Sequence, residues 1–191
     1  MRTSPIEGRG LVATRDIAKG ERIIEYTGEK VTKAEAERRY ERQEAAGRIY
    51  LFDLNSRYDV DGAKNGSIAR YANHSCDPNT ETEIARGHIW LVARKSIKAG
   101  DEVVYDYNFP LDGFEDRPCR CGTAKCRGYI VGASSAGALK RVLNQRERER
   151  KAKRTSGSKA SRTAKRGKGA KRPKTARKSS AKRTKRKRAR S

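Results

Sequence analysis

Arg70-Tyr71-Ala72-Asn73-His74-Ser75-Cys76-Asp77-Pro78-Asn79 is a dense polar stretch near the middle of a 191-residue chain. It cannot be regular helix beside Pro78, because the proline ring disfavours helical backbone at the residue before it. Asn and His side chains here need hydrogen-bond partners wherever they are buried. Alone, the stretch reads either as a capped loop or as a carrier of chemistry. Short β-branched or aromatic runs surround it: Gly10–Thr14, Arg22–Tyr26, Ile49–Leu54 and Arg57–Val60 on one side, Glu102–Tyr105 on the other. Thr80–Ala85 and His88–Arg94 are spaced to pair across the Arg86-Gly87 turn. One helix is well signalled after Thr32-Lys33-Ala34-Glu35, a capping-box pattern, with Gly47 where a terminating glycine belongs. A second is predicted from about Ser135 to Lys153. Ala13-x3-Ile17-x2-Gly20-Glu21-x-Ile23-Ile24 is matched by Ala93-x3-Ile97-x2-Gly100-Asp101-x-Val103-Val104, which predicts two similar β corners. The pattern is that of a mostly β (α+β) domain of small sheets.

Charge divides the chain. Lys and Arg number 47 against 23 Asp and Glu, a net +24, yet the segment from Lys151 to Ser191 holds 20 of the basic residues and no acid. Residues 1–150 are close to neutral and long enough for one domain with one core. The tail has no aromatic residue and, beyond alanine, almost no apolar one, so it cannot bury enough surface to offset its ordering entropy and is expected to be disordered alone. No apolar run is long enough for a membrane span, and no apolar signal segment stands at the N-terminus. The expectation is a soluble, intracellular protein without membrane contact.

The four cysteines are Cys76, Cys119, Cys121 and Cys126. Four thiolates are what one closed tetrahedral zinc site requires. Cys119-x-Cys121 is tighter than the usual spacing, so zinc, free structural thiols and disulfides all stay open on spacing alone. Two further clusters stand out. Gly8-Arg9-Gly10-Leu11 lets backbone approach a ligand closely, although an ordinary turn reads the same way. Glu102-Val103-Val104-Tyr105-Asp106-Tyr107-Asn108-Phe109 alternates aromatics as a core strand also would.

Taken in order, these clusters resemble the SET-domain protein lysine methyltransferases. The matching motifs are Gly8-Arg9-Gly10, Tyr26-Thr27-Gly28, Arg70-Tyr71-x-Asn73-His74-Ser75-Cys76-x-Pro78-Asn79 and Glu102-x2-Tyr105-Asp106-Tyr107. Cys119-x-Cys121-x4-Cys126-x-Gly128 resembles the family's post-SET motif. The resemblance implies a SET fold of small β-sheets with a pseudoknot-like C-terminal part. It divides the chain into a SET domain (1–112), a post-SET zinc-binding segment (113–131), a helix or linker (132–153) and a disordered Lys/Arg-rich tail (154–191).

The same resemblance implies roles residue by residue. S-adenosylmethionine is expected against Gly8, Arg9, Gly10, Tyr50, Arg70, Asn73, His74 and Tyr129, with Tyr129 covering the adenine. Tyr50, Tyr105 and Tyr107 are expected to line the lysine channel, with Tyr107 as the catalytic residue. Cys76 is expected to join Cys119, Cys121 and Cys126 on one structural Zn2+. Tyr105 occupies the position that restricts product size, which implies mainly monomethylation. The chain departs from larger relatives in having no cysteine ahead of Gly8, a short insert between Thr32 and Gly47, and Arg9 where a bulky aromatic often stands.

The tail resembles the Ala-Lys-Pro-rich tails of linker histones and bacterial nucleoid proteins. Residues 151–191 are therefore expected to bind nucleic acid electrostatically and without sequence preference. Thr175-Ala176-Arg177-Lys178-Ser179 resembles methylated sites in histone tails and raises automethylation at Lys178. The leading expectation is an enzyme that methylates a lysine in a basic segment of a histone or histone-like protein, at chromatin or a bacterial nucleoid. The rival is a non-catalytic architectural DNA-binding protein with a degenerate SET fold.

Overall fold

A computed structural model describes residues 1–166, with side chains through Arg154. Ten short strands come in the order β1 (Arg2–Thr3), β2 (Arg9–Gly10), β3 (Arg22–Tyr26), β4 (Glu29–Thr32), β5 (Leu51–Asp53), β6 (Tyr58–Asp61), β7 (Asn73–His74), β8 (Thr80–Ala85), β9 (His88–Ala93) and β10 (Val104–Tyr105). Helix α1 (Lys33–Ala45) lies between β4 and β5, and α2 (Ala136–Arg166) follows the last strand. Small sheets result: β3-β9-β8 and β4-β6-β5 are three-stranded and antiparallel, β1 pairs with β2, and β7 pairs with β10 in parallel. The mostly β architecture expected from the sequence is the one observed, and the β8–β9 hairpin turns at Arg86-Gly87 as its spacing predicts.

The core is shared by these sheets. Leu91, Ile89, Ile97, Val103 and Ala69 are each almost wholly buried, with Leu11, Tyr26, Leu54 and Val60 packed around them. The two matching segments of the sequence turn out to pair with each other. Ile17 and Ile97 exchange both backbone hydrogen bonds, at 2.8 and 3.0 Å. Gly20 N–H donates to Ala93 O while Gly100 N–H donates to Ala13 O, and Ala93 N–H donates to Glu21 O while Ala13 N–H donates to Asp101 O. Even the turn caps repeat, Ala18 N–H on Glu21 and Lys98 N–H on Asp101. The corners form a local two-fold unit in which each satisfies the other's backbone.

Two expected strands are shorter than read, for one reason. Along Gly10–Thr14 the backbone changes partner at nearly every residue: Leu11 N–H donates to Tyr71 O, Val12 bridges Glu102, and Ala13 N–H reaches Asp101. The expected strand Glu102–Tyr105 is divided in the same way between Val12 and β7. Helix α1 starts as predicted, with Thr32 Oγ1 accepting from Glu35 N–H at 3.4 Å. The reciprocal half of the capping box gives way to ion pairs, because the Glu35 carboxylate binds Arg38 and Arg39 instead. Gly47 ends the helix at φ +68, a left-handed conformation that glycine adopts without strain.

A smaller cluster of Phe114, Val131 and Leu139, with Leu111, Tyr129, Val142 and Leu143, packs the segment after β10. From Asn144 the chain forms a separate unit, where Glu147 pairs with Arg150 and Lys151 along α2. This helix passes the expected end at Lys153 and continues to Arg166; Lys, Arg and Ala are strong helix formers. Residues 167–191, including Lys178 and most of the basic tail, lie outside the described residues. No helix among the described residues is long and apolar enough to cross a membrane.

Helix α1 is fastened by charge rather than by an apolar stripe. Arg39 is only 9% exposed and donates to Glu29, Glu35 and the 2%-exposed Asp61. Gln43 Nε2 also donates to Asp61, and Gln43 Oε1 accepts from Tyr50 N–H. Removing one member of a buried ion pair leaves the other charge uncompensated, at about 3–5 kcal/mol. Arg39→Met should therefore lower stability in urea by about 3 kcal/mol or more, whereas exposed Arg38→Met should change it by under about 0.5 kcal/mol.

Candidate functional site

The parallel pair sets the site. Val104 lies opposite Asn73 and Tyr105 opposite His74. Ser75 N–H extends the pair to Tyr105 O at 2.9 Å. Asn79 completes the edge with its side chain, donating to Glu102 O at 2.8 Å and accepting from Val104 N–H at 2.9 Å. The polar decad and the Tyr105-Asp106-Tyr107 strand thus become one surface.

Next to it lies the glycine loop. Asn73, 7% exposed, turns its Nδ2 toward Glu7 O and Arg9 O, each at 3.1 Å, and toward Glu102 Oε1 at 2.8 Å. Ser4 Oγ donates to the same carboxylate. A Cβ at Gly10 would lie 2.5 Å from Glu102 Oε1, so a larger residue there would displace the carboxylate that Ser4 and Asn73 hold. Arg9 stacks its guanidinium on Tyr71, as does Arg70, which also donates to Gly62 O and lies over the Tyr50 ring.

Aromatic rings continue from there as a ladder. Tyr26 and Phe52 centroids are 5.2 Å apart, Phe52 and Tyr105 6.2 Å, Tyr105 and Tyr107 4.9 Å, and Tyr107 and Phe109 5.9 Å. Tyr26 Oη donates to Tyr50 O at 2.7 Å and Tyr107 Oη to Ala72 O at 3.1 Å. Burial, reinforced by neighbouring phenols, holds the hydroxyls of Tyr26, Tyr105 and Tyr107 well above the usual phenol range. These phenols therefore stay neutral near pH 7. Having given their protons to carbonyls, the Tyr26 and Tyr107 oxygens keep lone pairs that can accept from a cationic amine or a polarised methyl group.

His74 is 3% exposed and both ring nitrogens are engaged inside the protein. Nδ1 accepts from Tyr107 N–H at 3.2 Å, which puts the proton on Nε2, 3.5 Å from Cys76 Sγ. Burial lowers its pKa to about 4, against the pull of Asp106.

All four cysteine sulfurs lie within 4.8 Å of one another. Cys76 and Cys119 sulfurs stand 3.7 Å apart, and a tetrahedron with metal–sulfur bonds of about 2.3 Å has edges of about 3.8 Å. Arg127 N–H points at Cys76 Sγ from 3.3 Å and Gly128 N–H at Cys126 Sγ from 3.4 Å, the donors that thiolate ligands accept. The cluster is compatible with a zinc ion, and no disulfide joins these residues.

Of the residues singled out in the sequence, Gly8, Arg9, Gly10, Tyr50, Arg70, Asn73, His74, Tyr105 and Tyr107 gather around the parallel pair, and the cysteines converge beside it. Tyr129 lies edge-on to Phe114 at 4.8 Å in the smaller apolar cluster. Three contributors have no role assigned to them from the sequence. Phe52 and Tyr26 supply rungs of the ladder, although both fall within stretches that drew attention for other reasons. Asp106 accepts from Arg127 at 2.8 Å and from Ala133 N–H at 3.2 Å, tying the tyrosine strand to the cysteine segment. Opposite charges next to Tyr107 and Cys126 were the available signal.

The SET-domain family model matches residues 8–108. The histone-lysine N-methyltransferase trithorax of Drosophila virilis is 39% identical over 132 residues, which cover 66% of this chain and 3% of that protein. ASHH1 of Arabidopsis thaliana, also named a histone-lysine N-methyltransferase, is 40% identical over 139 residues, 69% of this chain and 28% of that protein. The corresponding enzyme SUV39H2 of Xenopus tropicalis is 35% identical over 154 residues, 68% and 38% of the respective chains. The chain thus spans well under two thirds of each of these relatives. With the family model covering more than half its length and the motifs assembled around one parallel pair, the chain belongs to the SET-domain family.

Proposed function

We propose that the protein is a protein-lysine N-methyltransferase that uses S-adenosylmethionine and acts on a histone or histone-like protein, in the nucleus at chromatin. The observation that carries this reading is the ladder of desolvated, neutral phenols ending at Tyr107, joined to the glycine loop through Ala72 and Asn73. S-adenosylmethionine supplies a methyl group on a positively charged sulfur, so the leaving sulfur departs neutral and no strong acid is required. What the protein must do is present an uncharged amine in line with that carbon. Lysine has a pKa of about 10.4, and its deprotonation at pH 7 costs roughly 4–5 kcal/mol.

The chain's own residues meet that requirement. Tyr50, Tyr105 and Tyr107 wall the amine off from water, which favours its neutral form. Tyr107 Oη, whose proton is donated to Ala72 O, orients the amine through a lone pair. Glu7 and Glu102 lie near enough to raise the Tyr107 pKa further, and their negative potential suits a cationic donor. Gly8, Arg9 and Gly10 offer backbone to that donor, with Asn73 and Glu102 fixing the loop from beneath. Tyr105 fills the space that a second methyl group would need, which makes monomethylation the main outcome. Zinc on Cys76, Cys119, Cys121 and Cys126 is structural and holds the segment after β10 beside the site. Residues 151–191 tether the enzyme to nucleic acid, and Lys178 is a candidate for automethylation.

A purely architectural DNA-binding role is separated from this reading by two experiments. Tyr107→Phe should reduce kcat on a basic chromosomal protein by about 10²-fold or more, with DNA affinity unchanged. Because the Tyr107 hydroxyl is held far above neutral, activity between pH 7 and 9 should rise with deprotonation of the lysine, and the variant should lower the profile without moving its rising limb. Equal activity of variant and parent would remove Tyr107 from the chemistry. Ending the chain at Arg150 should retain methyl transfer to a free peptide and abolish most DNA binding. In the full chain, ten phosphate contacts would give a logarithmic salt slope of about −9; a slope near zero would refute the tether.

A further inference from the structure

Asp106 and Arg127 form an ion pair that neither the ladder nor the cysteine cluster requires by itself. Their side chains are only 18% and 12% exposed, and the bond is 2.8 Å. Asp106 sits between the two tyrosines of the site, and Arg127 sits between Cys126 and Gly128. The pair belongs to a closed circuit. Arg127 backbone N–H donates to Cys76 Sγ at 3.3 Å. Cys76 Sγ faces His74 Nε2 at 3.5 Å, and His74 Nδ1 accepts from Tyr107 N–H at 3.2 Å. Tyr107 is bonded to Asp106, which returns to Arg127. One metal-ligating sulfur and one backbone amide of the tyrosine strand are thus joined by two routes.

The routes differ in kind. Along the first, Nδ1 accepts from Tyr107 N–H, so neutral His74 carries its single ring proton on Nε2 and directs it toward Cys76, and a thiolate is the better acceptor for it. Along the second, a half-buried charge pair fixes the side chain beside Tyr107. Gly132 packs against Asn108 and donates its N–H to Phe109 O at 2.8 Å, which places the same post-cysteine segment on the far end of the strand. Regular sheet pairing contributes little here: the strand Val104–Tyr105 is two residues long, and Tyr107 lies beyond its last ladder bond. The backbone of Tyr107 is held by polar contacts.

Building on the methyltransferase reading, we infer that His74, Asp106 and Arg127 are positioning residues that make the placement of Tyr107 conditional on the four sulfurs being drawn together. Metal occupancy then governs the geometry of the site as well as the stability of the segment that carries three of the ligands. Outer partners of metal ligands commonly change affinity or activity 10–100-fold when replaced.

Hydrogen exchange read by mass spectrometry on the full chain tests this without relying on turnover. Removing zinc with a chelator should accelerate exchange of the peptide spanning Tyr105–Phe109 by about tenfold or more. Arg127→Met should produce the same acceleration with zinc still bound at one ion per chain, while Arg127→Lys, which keeps the charge, should restore part of the protection. Asp106→Asn provides a second route, since it can keep the acceptor for Asn108 N–H while the position that accepts from Arg127 and Ala133 N–H becomes a donor. A thermal melt establishes that each variant is folded. With zinc bound, Arg127→Met should also lower kcat about tenfold and leave KM for a lysine peptide within about twofold. If chelation and both variants open residues 119–131 but leave the Tyr105–Phe109 peptide protected, the coupling is refuted. A parent chain that binds zinc yet transfers no methyl group would sink the proposed function, while the exchange comparison would still decide the coupling.

Discussion

Two residues paired in parallel with two others hold this molecule's chemistry in place. The Asn73-His74 and Val104-Tyr105 segments are too short to be stable as a sheet, so their union depends on side chains acting as backbone partners. Asn79 does so from one edge, and Thr80 Oγ1 donates to Val104 O at 2.8 Å from another. Glu102 gathers Ser4, Asn73 and the approach of Gly10 on its carboxylate. A long ladder would have kept this backbone in regular pleats. Interrupted pairing instead exposes successive residues to different partners, and this allows a glycine loop, a phenol row and a cysteine to meet within one small volume.

The interrupted backbone also explains which features could be read in the sequence. Helix α1 and the β8–β9 hairpin were legible because local signals, a cap at Thr32 and a turn at Arg86-Gly87, decide them. The matching segments around Ile17 and Ile97 were visible as a repeat. Their mutual pairing was not, since sequence gives no direction in which two corners face. Strands at Gly10–Thr14 and Glu102–Tyr105 were overextended because β-propensity cannot register a change of partner at each residue. At the site, residue types were plain and their contacts were hidden. Asn73 Nδ2 and both His74 ring nitrogens are spent on the protein's own loop and strand. The Asp106–Arg127 pair spans 21 residues and exists only once Cys76 has been brought to Cys126.

Helix α1 and the aromatic ladder are connected less obviously. Gln43 receives the Tyr50 amide and holds Asp61, while Tyr50 O takes the Tyr26 hydroxyl and Gly62 N–H. The charge cluster on Arg39 therefore ends, within a few bonds, at two phenol rings of the site. A polar fastening of this type costs desolvation that an apolar stripe would not, and it returns a fixed register. Register is what the rings need, since a displacement of about one ångström would change the reach of a hydroxyl proposed to aim an amine.

The burden of buried polarity speaks to whether the site is still in use. Asn73, His74, Ser75, Asp61 and Thr80 are nearly inaccessible, and the phenols of Tyr105 and Tyr107 are desolvated beside them. Each such group is tolerated only because a specific partner satisfies it, and apolar replacements of similar size are often neutral or stabilising. A scaffold retained only to display a basic tail would be free to take those replacements. This chain keeps the complete set, together with an Asp–Arg pair and two backbone amides aimed at sulfur. Physical economy alone does not explain that combination; the proposed reaction, which needs neutral phenols and a rigid glycine loop, does.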